Sequence, residues 1–318
     1  MERDLPLAYH RCVFGRRSVD RRQFVCGGAA LAGAALSGGA QATDILAKTI
    51  PSTGEVVPAL GMGSWLTFDV GEDSAARSAR RDVLETFFSA GGRLIDSSPM
   101  YGSSQSVIGW CLGALQKRDG FIAADKVWTP QGEDGSTQIE RSRSRWRIPK
   151  FDLLQVHNLV DWENHLETLF AMKASGRLRY VGVTTYAGLR HDTVERIMRS
   201  RPLDFIQVTY NIADREAEER LLPMAQERDV AVVANRPFRE GGLFPVVRDK
   251  PLPAFAAEIG ATSWAQFMLK FTISHPALTC AIPATRRVDH MRENMAAMSG
   301  PVPDAAMRAR MAAAFDAL

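Results

Sequence analysis

Eight short apolar runs, each separated from the next by a stretch of helical periodicity, constrain this chain more than any other feature. They span 59–65, 93–97, 121–126, 152–157, 180–184, 205–210, 231–235 and 279–283. They are rich in Val, Ile and Leu, as strands covered on both faces must be. Between them, Val83, Leu84, Phe87 and Phe88 form one helical stripe that ends at Gly91-Gly92. Val107, Ile108, Cys111, Leu112 and Leu115 form a second, and Leu166, Leu169 and Phe170 a third, with Gly176 as its stop. Strand–helix units in that number predict an α/β protein, a closed parallel (β/α)8 TIM barrel. A doubly wound sheet is the competing arrangement. Its Gly-rich fingerprint is missing after the first strand, where Gly61-Met62-Gly63 is too short to serve. The piece 49–58, centred on Thr53-Gly54, reads as a short N-terminal β-hairpin closing the barrel floor.

The N-terminus reads as an address, not as structure. Asp20-Arg21-Arg22-Gln23-Phe24-Val25 precedes a mildly apolar Ala/Gly run from Cys26 to Leu36, then the small-x-small exit Ala40-Gln41-Ala42. Paired arginines, Phe24 and weak hydrophobicity are features of the twin-arginine class, which carries folded proteins. The apolar run, about 11 residues, is short of the roughly 20 that span a bilayer. The expectation is a signal peptide at 1–42, cleavage after Ala42, contact with the twin-arginine export machinery, and a periplasmic or otherwise exported barrel at 43–318. The same segment explains the charge. Six arginines against three carboxylates before residue 43 account for the whole net charge of +3, so the remainder is neutral and no nucleic-acid partner is indicated. Of four cysteines only Cys111 and Cys280 fall in the barrel, without ligand spacing for a metal; two buried thiols are expected.

Chemistry in a barrel belongs to the C-terminal ends of its strands. The second run leads into Ile95-Asp96-Ser97-Ser98-Pro99-Met100-Tyr101-Gly102, the third ends at Asp125-Lys126, and the fourth at Gln155-Val156-His157-Asn158. A carboxylate, a phenol, an ammonium and an imidazole are thereby predicted at one mouth. Reduction of a carbonyl by hydride needs a proton donor and a polarising group at the developing alkoxide. Tyr101 can donate, Lys126 beside it should lower the phenol's pKa, Asp96 should hold Lys126, and His157 should orient the substrate oxygen. Singly, each has a structural explanation. Jointly, in this order on consecutive strands, they point to a catalytic set.

The residues around that set resemble the aldo-keto reductase superfamily, from about Thr49 to the last helix. The segment Gly91-Gly92-Arg93-Leu94-Ile95-Asp96 through Gly102 is similar to its Asp/Tyr signature, Asp125-Lys126-Val127-Trp128 to its lysine strand, and Leu153 to Asn158 to its histidine strand. Ser175 to Val183 matches the approach to the fifth strand. The resemblance implies a nicotinamide dinucleotide across the barrel mouth, with its carboxamide near Thr184, Thr185 and Gln207. Thr184 and Thr185 depart from the family's usual Ser-Asn pair, and Asn235 stands where an aromatic ring is common, with Arg236 and Phe238 nearby. Gly242, in Gly241-Gly242-Leu243, falls in the segment over the pyrophosphate. Arg286 and Arg287 at a helix N-terminus suit an anion, because exposed amides and guanidinium forks both attract phosphate; the resemblance implies that the adenosine 2′-phosphate is read here, which favours NADP over NAD. His290 replaces a frequent Arg, and Asn294 matches the residue at the adenine. Two alternatives compete with a small-molecule carbonyl reductase. One is a cofactor-binding sensor with little turnover; the other is a metal-dependent hydrolase, which needs several His at strand ends where this chain has only His157.

Overall fold

The computed structural model describes residues 45–115, 118–130 and 134–318; the expected signal at 1–42 lies outside the described residues. A hairpin comes first: β1 (Ala47–Thr49) pairs antiparallel with β2 (Val56–Pro58). Its turn closes with the Gly54 amide donating to the Ile50 carbonyl, at 2.9 Å, and Gly54 takes φ +74°, which glycine adopts without strain.

The chain then runs β3 (Met62–Gly63), α1 (Ser74–Ser89), β4 (Leu94–Asp96), α2 (Ser104–Ala114), β5 (Ile122–Val127) and α3 (Gly135–Trp146). The same rhythm continues through β6 (Leu153–Val156), α4 (Trp162–Ala174), β7 (Tyr180–Thr184), α5 (His191–Ser200), β8 (Phe205–Thr209) and α6 (Leu221–Glu227). It ends with β9 (Ala231–Asn235), α7 (Phe244–Val247), α8 (Trp264–Ile273), β10 (Cys280–Ala281), α9 (Val288–Ala296) and α10 (Ala305–Asp316). β3 to β10 form one parallel sheet in sequence order. It closes where Leu60 bridges Ala281: the Ala281 amide donates to Ala59, the Gly61 amide to Ala281 and the Gly63 amide to Pro283. A Cβ on Gly61 would lie 2.7 Å from the Leu94 carbonyl oxygen, so the seam needs glycine there. This is the (β/α)8 barrel with an N-terminal hairpin that the periodicity predicts. Its first and last strands are only two residues long, because closure there rests on single backbone bonds around Gly61, Gly63 and Pro283 instead of a full ladder.

Alternation along each strand sorts the core into two sets. Outward residues such as Ile95, Leu154, Val181, Val183, Ile206 and Val232 pack under the helices. Inward residues Leu94, Ile122, Leu153, Tyr180, Phe205, Ala231 and Cys280 fill the lower barrel with Ile50 and Val57 of the hairpin. The hairpin is also fastened by polar contacts. Glu55 pairs with Arg93 at 2.9 Å and accepts from the Tyr180 hydroxyl at 2.7 Å. Cys111 and Cys280 are both free and buried, and burial pushes each thiol up to about 12.

Candidate active site

One step further up the same inward rows, the side chains become polar. Asp96, Lys126, Gln155 and Gln207 follow Leu94, Ala124, Leu153 and Phe205 at a spacing of two, and all four are buried. Lys126 Nζ donates to Asp96 Oδ2 at 2.5 Å and to the Ser97 carbonyl at 2.7 Å. Asp96 Oδ1 accepts from the amides of Gln207 at 2.9 Å and Gln155 at 3.3 Å. A buried carboxylate and ammonium are tolerated because they pair with each other and each makes further hydrogen bonds. Gln155 Oε1, by contrast, is buried with no partner among the described residues.

Tyr101 stands above this layer on the loop between β4 and α2. The ammonium of Lys126 is 5.3 Å from its ring centroid, and the His157 ring meets it edge-on at 5.7 Å. Burial is the largest influence on the phenol and pushes its pKa above the usual value; the Lys126 charge opposes, and Asp96 and Asp125 add to the rise. The expected lowering by Lys126 is therefore present but outweighed by burial. Lys126 itself is pulled down by burial and more than restored by Asp96, Tyr101 and Asp125, so it stays an ammonium. Burial and the Lys126 charge hold His157 down to about 2. The Ser98 hydroxyl lies 2.7 Å from His157 Nδ1; when Ser98 donates there, Nε2 carries the proton and can donate into the mouth. The apolar rim is made by Trp65, Met100 and Trp128, each 40% exposed. The arrangement brings a neutral phenol, a neutral imidazole and a fixed ammonium together, a donor-rich setting for an oxygen that gains charge.

The residues expected around a cofactor divide into two groups. On the β7–β9 side, Thr184 is buried and donates to Gln207 Oε1 at 3.3 Å, and the Thr185 hydroxyl is committed to the Leu189 carbonyl at 2.6 Å. Asn235 is a cross-brace, donating to the Thr185 carbonyl and accepting from Thr209 at 2.7 Å. Arg236 pairs with Glu240 at 2.6 Å, and the turn that follows carries positive φ at Arg236, Arg239, Glu240 and Gly241, with Gly242 exposed beside it. At the start of α9, Arg286 and Arg287 are both exposed, and Arg287 pairs with Asp289. A cavity of about 430 Å³ opens next to them. Thr285, His290, Asn294 and Arg248 are among the residues that line it, with Phe238, Phe244 and Trp264 supplying aromatic faces. Its size and its mixture of aromatic, amide and cationic groups fit the adenosine end of a dinucleotide.

Several contributors are not evident from strand ends alone. Ser98 and Gln155 lie inside the motifs already quoted, and period-two counting from Leu153 identifies Gln155 as inward. Arg248 and Trp264 reach the cavity only through the long excursion between β9 and β10, and no local pattern marks them.

Comparison with known proteins agrees with this geometry. The profile of the aldo/keto reductase family matches residues 59–313. Methylglyoxal reductase YeaE of Escherichia coli is 27% identical over 261 residues, 79% of this chain and 89% of that protein. Two solved aldo-keto reductase structures from Klebsiella pneumoniae superpose on the fold. The one in complex with NADPH has a TM-score of 0.70 and 24% identity, covering 85% of this chain and 96% of the other. The one with NADP and acetate has a TM-score of 0.67 and 25% identity, covering 82% and 93%. With a closed eight-stranded barrel, the four polar groups at its mouth and a family match over most of the chain, this protein belongs to the aldo/keto reductase family.

Proposed function

We propose that the protein reduces an aldehyde or ketone to an alcohol with NADPH, and that Tyr101 is the proton donor. The observation that carries this reading is the convergence of Tyr101, His157 and the buried Lys126–Asp96 pair on one mouth. Relatives named methylglyoxal reductase and structures holding NADPH and NADP support it. Bound nicotinamide supplies the hydride. Thr184 and Gln207 are the groups for its carboxamide, and Thr285, His290, Asn294 and Arg248, with Arg286 and Arg287 at the rim, for the adenosine phosphate end. His157, kept neutral by burial and by the Lys126 charge, orients the carbonyl oxygen. Tyr101, kept protonated by burial, delivers its proton to that oxygen as negative charge builds there. Lys126 stabilises the phenolate left behind, and Asp96 keeps Lys126 in place.

Paired Arg21-Arg22, the short apolar run and Ala40-Gln41-Ala42 support a further part of the proposal, export of the folded barrel through the twin-arginine route. Folded export lets the cofactor travel inside the protein, and cell fractionation with Arg21-Arg22 replaced by Lys-Lys checks it. For the reaction, NADPH and NADH binding are measured on purified protein, followed by nicotinamide oxidation against a panel of aldehydes and ketones. Tyr101→Phe is expected to cut kcat by roughly 10²–10⁴-fold while NADPH still binds. A Tyr101→Phe variant with wild-type turnover would overturn the assignment of the donor, and failure to bind either nucleotide would overturn the reductase.

A further inference from the structure

We propose that Asp125 is a positioning residue for this reduction: its carboxylate fastens the loop that carries Tyr101 to the strand that carries Lys126. The inference rests on the reductase reading above. Alternation along β5 sends Lys126 into the barrel and Asp125 outward, beneath the helices, where it is fully buried. Every acceptor it has is engaged. Oδ1 takes the Lys126 amide at 2.7 Å; Oδ2 takes Gln105 Nε2 at 2.9 Å and Trp146 Nε1 at 2.6 Å.

Those partners give the clamp its meaning. Gln105 lies in the first turn of α2, four residues beyond Tyr101, and the Ser104 amide donates back to the Tyr101 carbonyl at 3.0 Å. Gln105 also donates to Ser142 at 2.9 Å and accepts from Arg145 at 3.3 Å, so α3 is tied into the same knot with Trp146. One carboxylate thus links the proton donor's loop, the lysine's backbone and the helix behind both. An apolar residue would fill such a site without a desolvation cost, so the carboxylate here has a use that packing alone does not supply.

Its charge has a second effect. The groups facing Asp125 are Lys126 on its own strand, Asp96 from β4, Tyr101 from the loop that follows, Gln105 from α2, Trp146 from α3 and, through Gln105, Ser142 and Arg145 of α3. Burial pushes the carboxyl up to about 7, against the pull of the Lys126 amide and ammonium and of Gln105. Ionised, Asp125 raises the Tyr101 phenol and keeps it a proton donor. Protonated, it gives up an acceptor position and slackens the clamp. Turnover is therefore expected to fall as pH drops through about 7.

The test uses Asp125→Asn and Gln105→Leu in the full chain, with two readouts. The first is the ultraviolet difference titration of the Tyr101 phenol, with Tyr101→Phe as the blank; the second is kcat and KM across neutral pH. Asp125→Asn is expected to lower the Tyr101 titration midpoint, since a negative charge has gone. It should reduce kcat roughly 10- to 100-fold with KM and NADPH affinity near wild type, and remove the inflection near pH 7. Gln105→Leu keeps the carboxylate and should lower kcat without removing that inflection. A Tyr101 midpoint unchanged in Asp125→Asn, or kcat retained by its folded molecules despite a lower Tm, overturns the proposal. Should Asp125→Asn not fold, unchanged kcat in Gln105→Leu overturns it. Should the wild type turn over no carbonyl, the phenol titration still decides the role of Asp125, and the reductase reading fails separately.

Discussion

The floor and the mouth of this barrel are built from the same strands, two residues apart, and they obey opposite rules. At the floor, Leu94, Ala124, Leu153 and Phe205 face one another with Ile50 and Val57 of the hairpin, and removal of apolar surface from water does the stabilising. At the mouth, Asp96, Lys126, Gln155 and Gln207 occupy the next inward positions, and the layer stands only because donors and acceptors are matched. The difference teaches that burial alone says nothing about purpose: Phe205 and Lys126 are both essentially inaccessible. What separates them is the consequence of removal. A floor residue leaves a cavity; a mouth residue leaves an uncompensated charge.

Lys126→Met breaks the comparison most severely. It leaves Asp96 buried with two amides and no cation, which costs about 3–5 kcal/mol for one partner of a buried pair. Turnover should vanish with it, because nothing then stabilises the Tyr101 phenolate. Chemical denaturation together with kcat checks both halves. Full stability in Lys126→Met would mean that the pair is no more than a surface contact in effect. At the floor, Phe205→Ala is expected to destabilise by about 3–5 kcal/mol through its cavity. Unlike Lys126→Met, its folded fraction should reduce substrate at the wild-type rate, measured below the unfolding transition. A matching loss of kcat in Phe205→Ala would show the two layers to be coupled.

The floor was more legible in the sequence than the mouth. Apolar runs mark β4 to β9 within about a residue or two, since a strand buried on both faces is mostly apolar. Asp96, Lys126 and His157 stand out for the opposite reason, as polar groups ending such runs, and Tyr101 stands out on the loop that follows the first of them. Asp125 was passed over although it adjoins Lys126, because its partners Gln105 and Trp146 come from two helices whose packing no local pattern predicts. Arg286 and Arg287 show the converse. They draw attention as a charged pair at a helix start, yet Arg287 is engaged with Asp289 two residues on, and the adjoining cavity is lined instead by Thr285, His290, Asn294 and the distant Arg248. Asn235, where an aromatic ring is common in the family, braces two strands through its side chain.

Acid provides the gentlest way to sharpen the contrast, since each end of the barrel holds a histidine whose protonation burial opposes. His157 at the mouth is held down to about 2 by burial and Lys126. His275, in the turn before β10 with its carbonyl accepting from Lys48 of the hairpin, is held down to about 4, by burial and then by Arg308. In both, the folded pKa is depressed below the unfolded value of about 6.5. Their stabilising share is complete above that value and is lost as pH falls, for His275 down to about 4 and for His157 further, to about 2. Each contributes a slope of at most about 1.4 kcal/mol per pH unit. His275→Asn should therefore flatten the upper part of the acid curve, between about 6.5 and 4, and leave kcat unchanged. His157→Asn should flatten the curve over the wider range from about 6.5 down to about 2 and lower kcat at every pH. Equal kcat in the two variants, measured at neutral pH, would mean that the mouth histidine is as purely structural as the one below it.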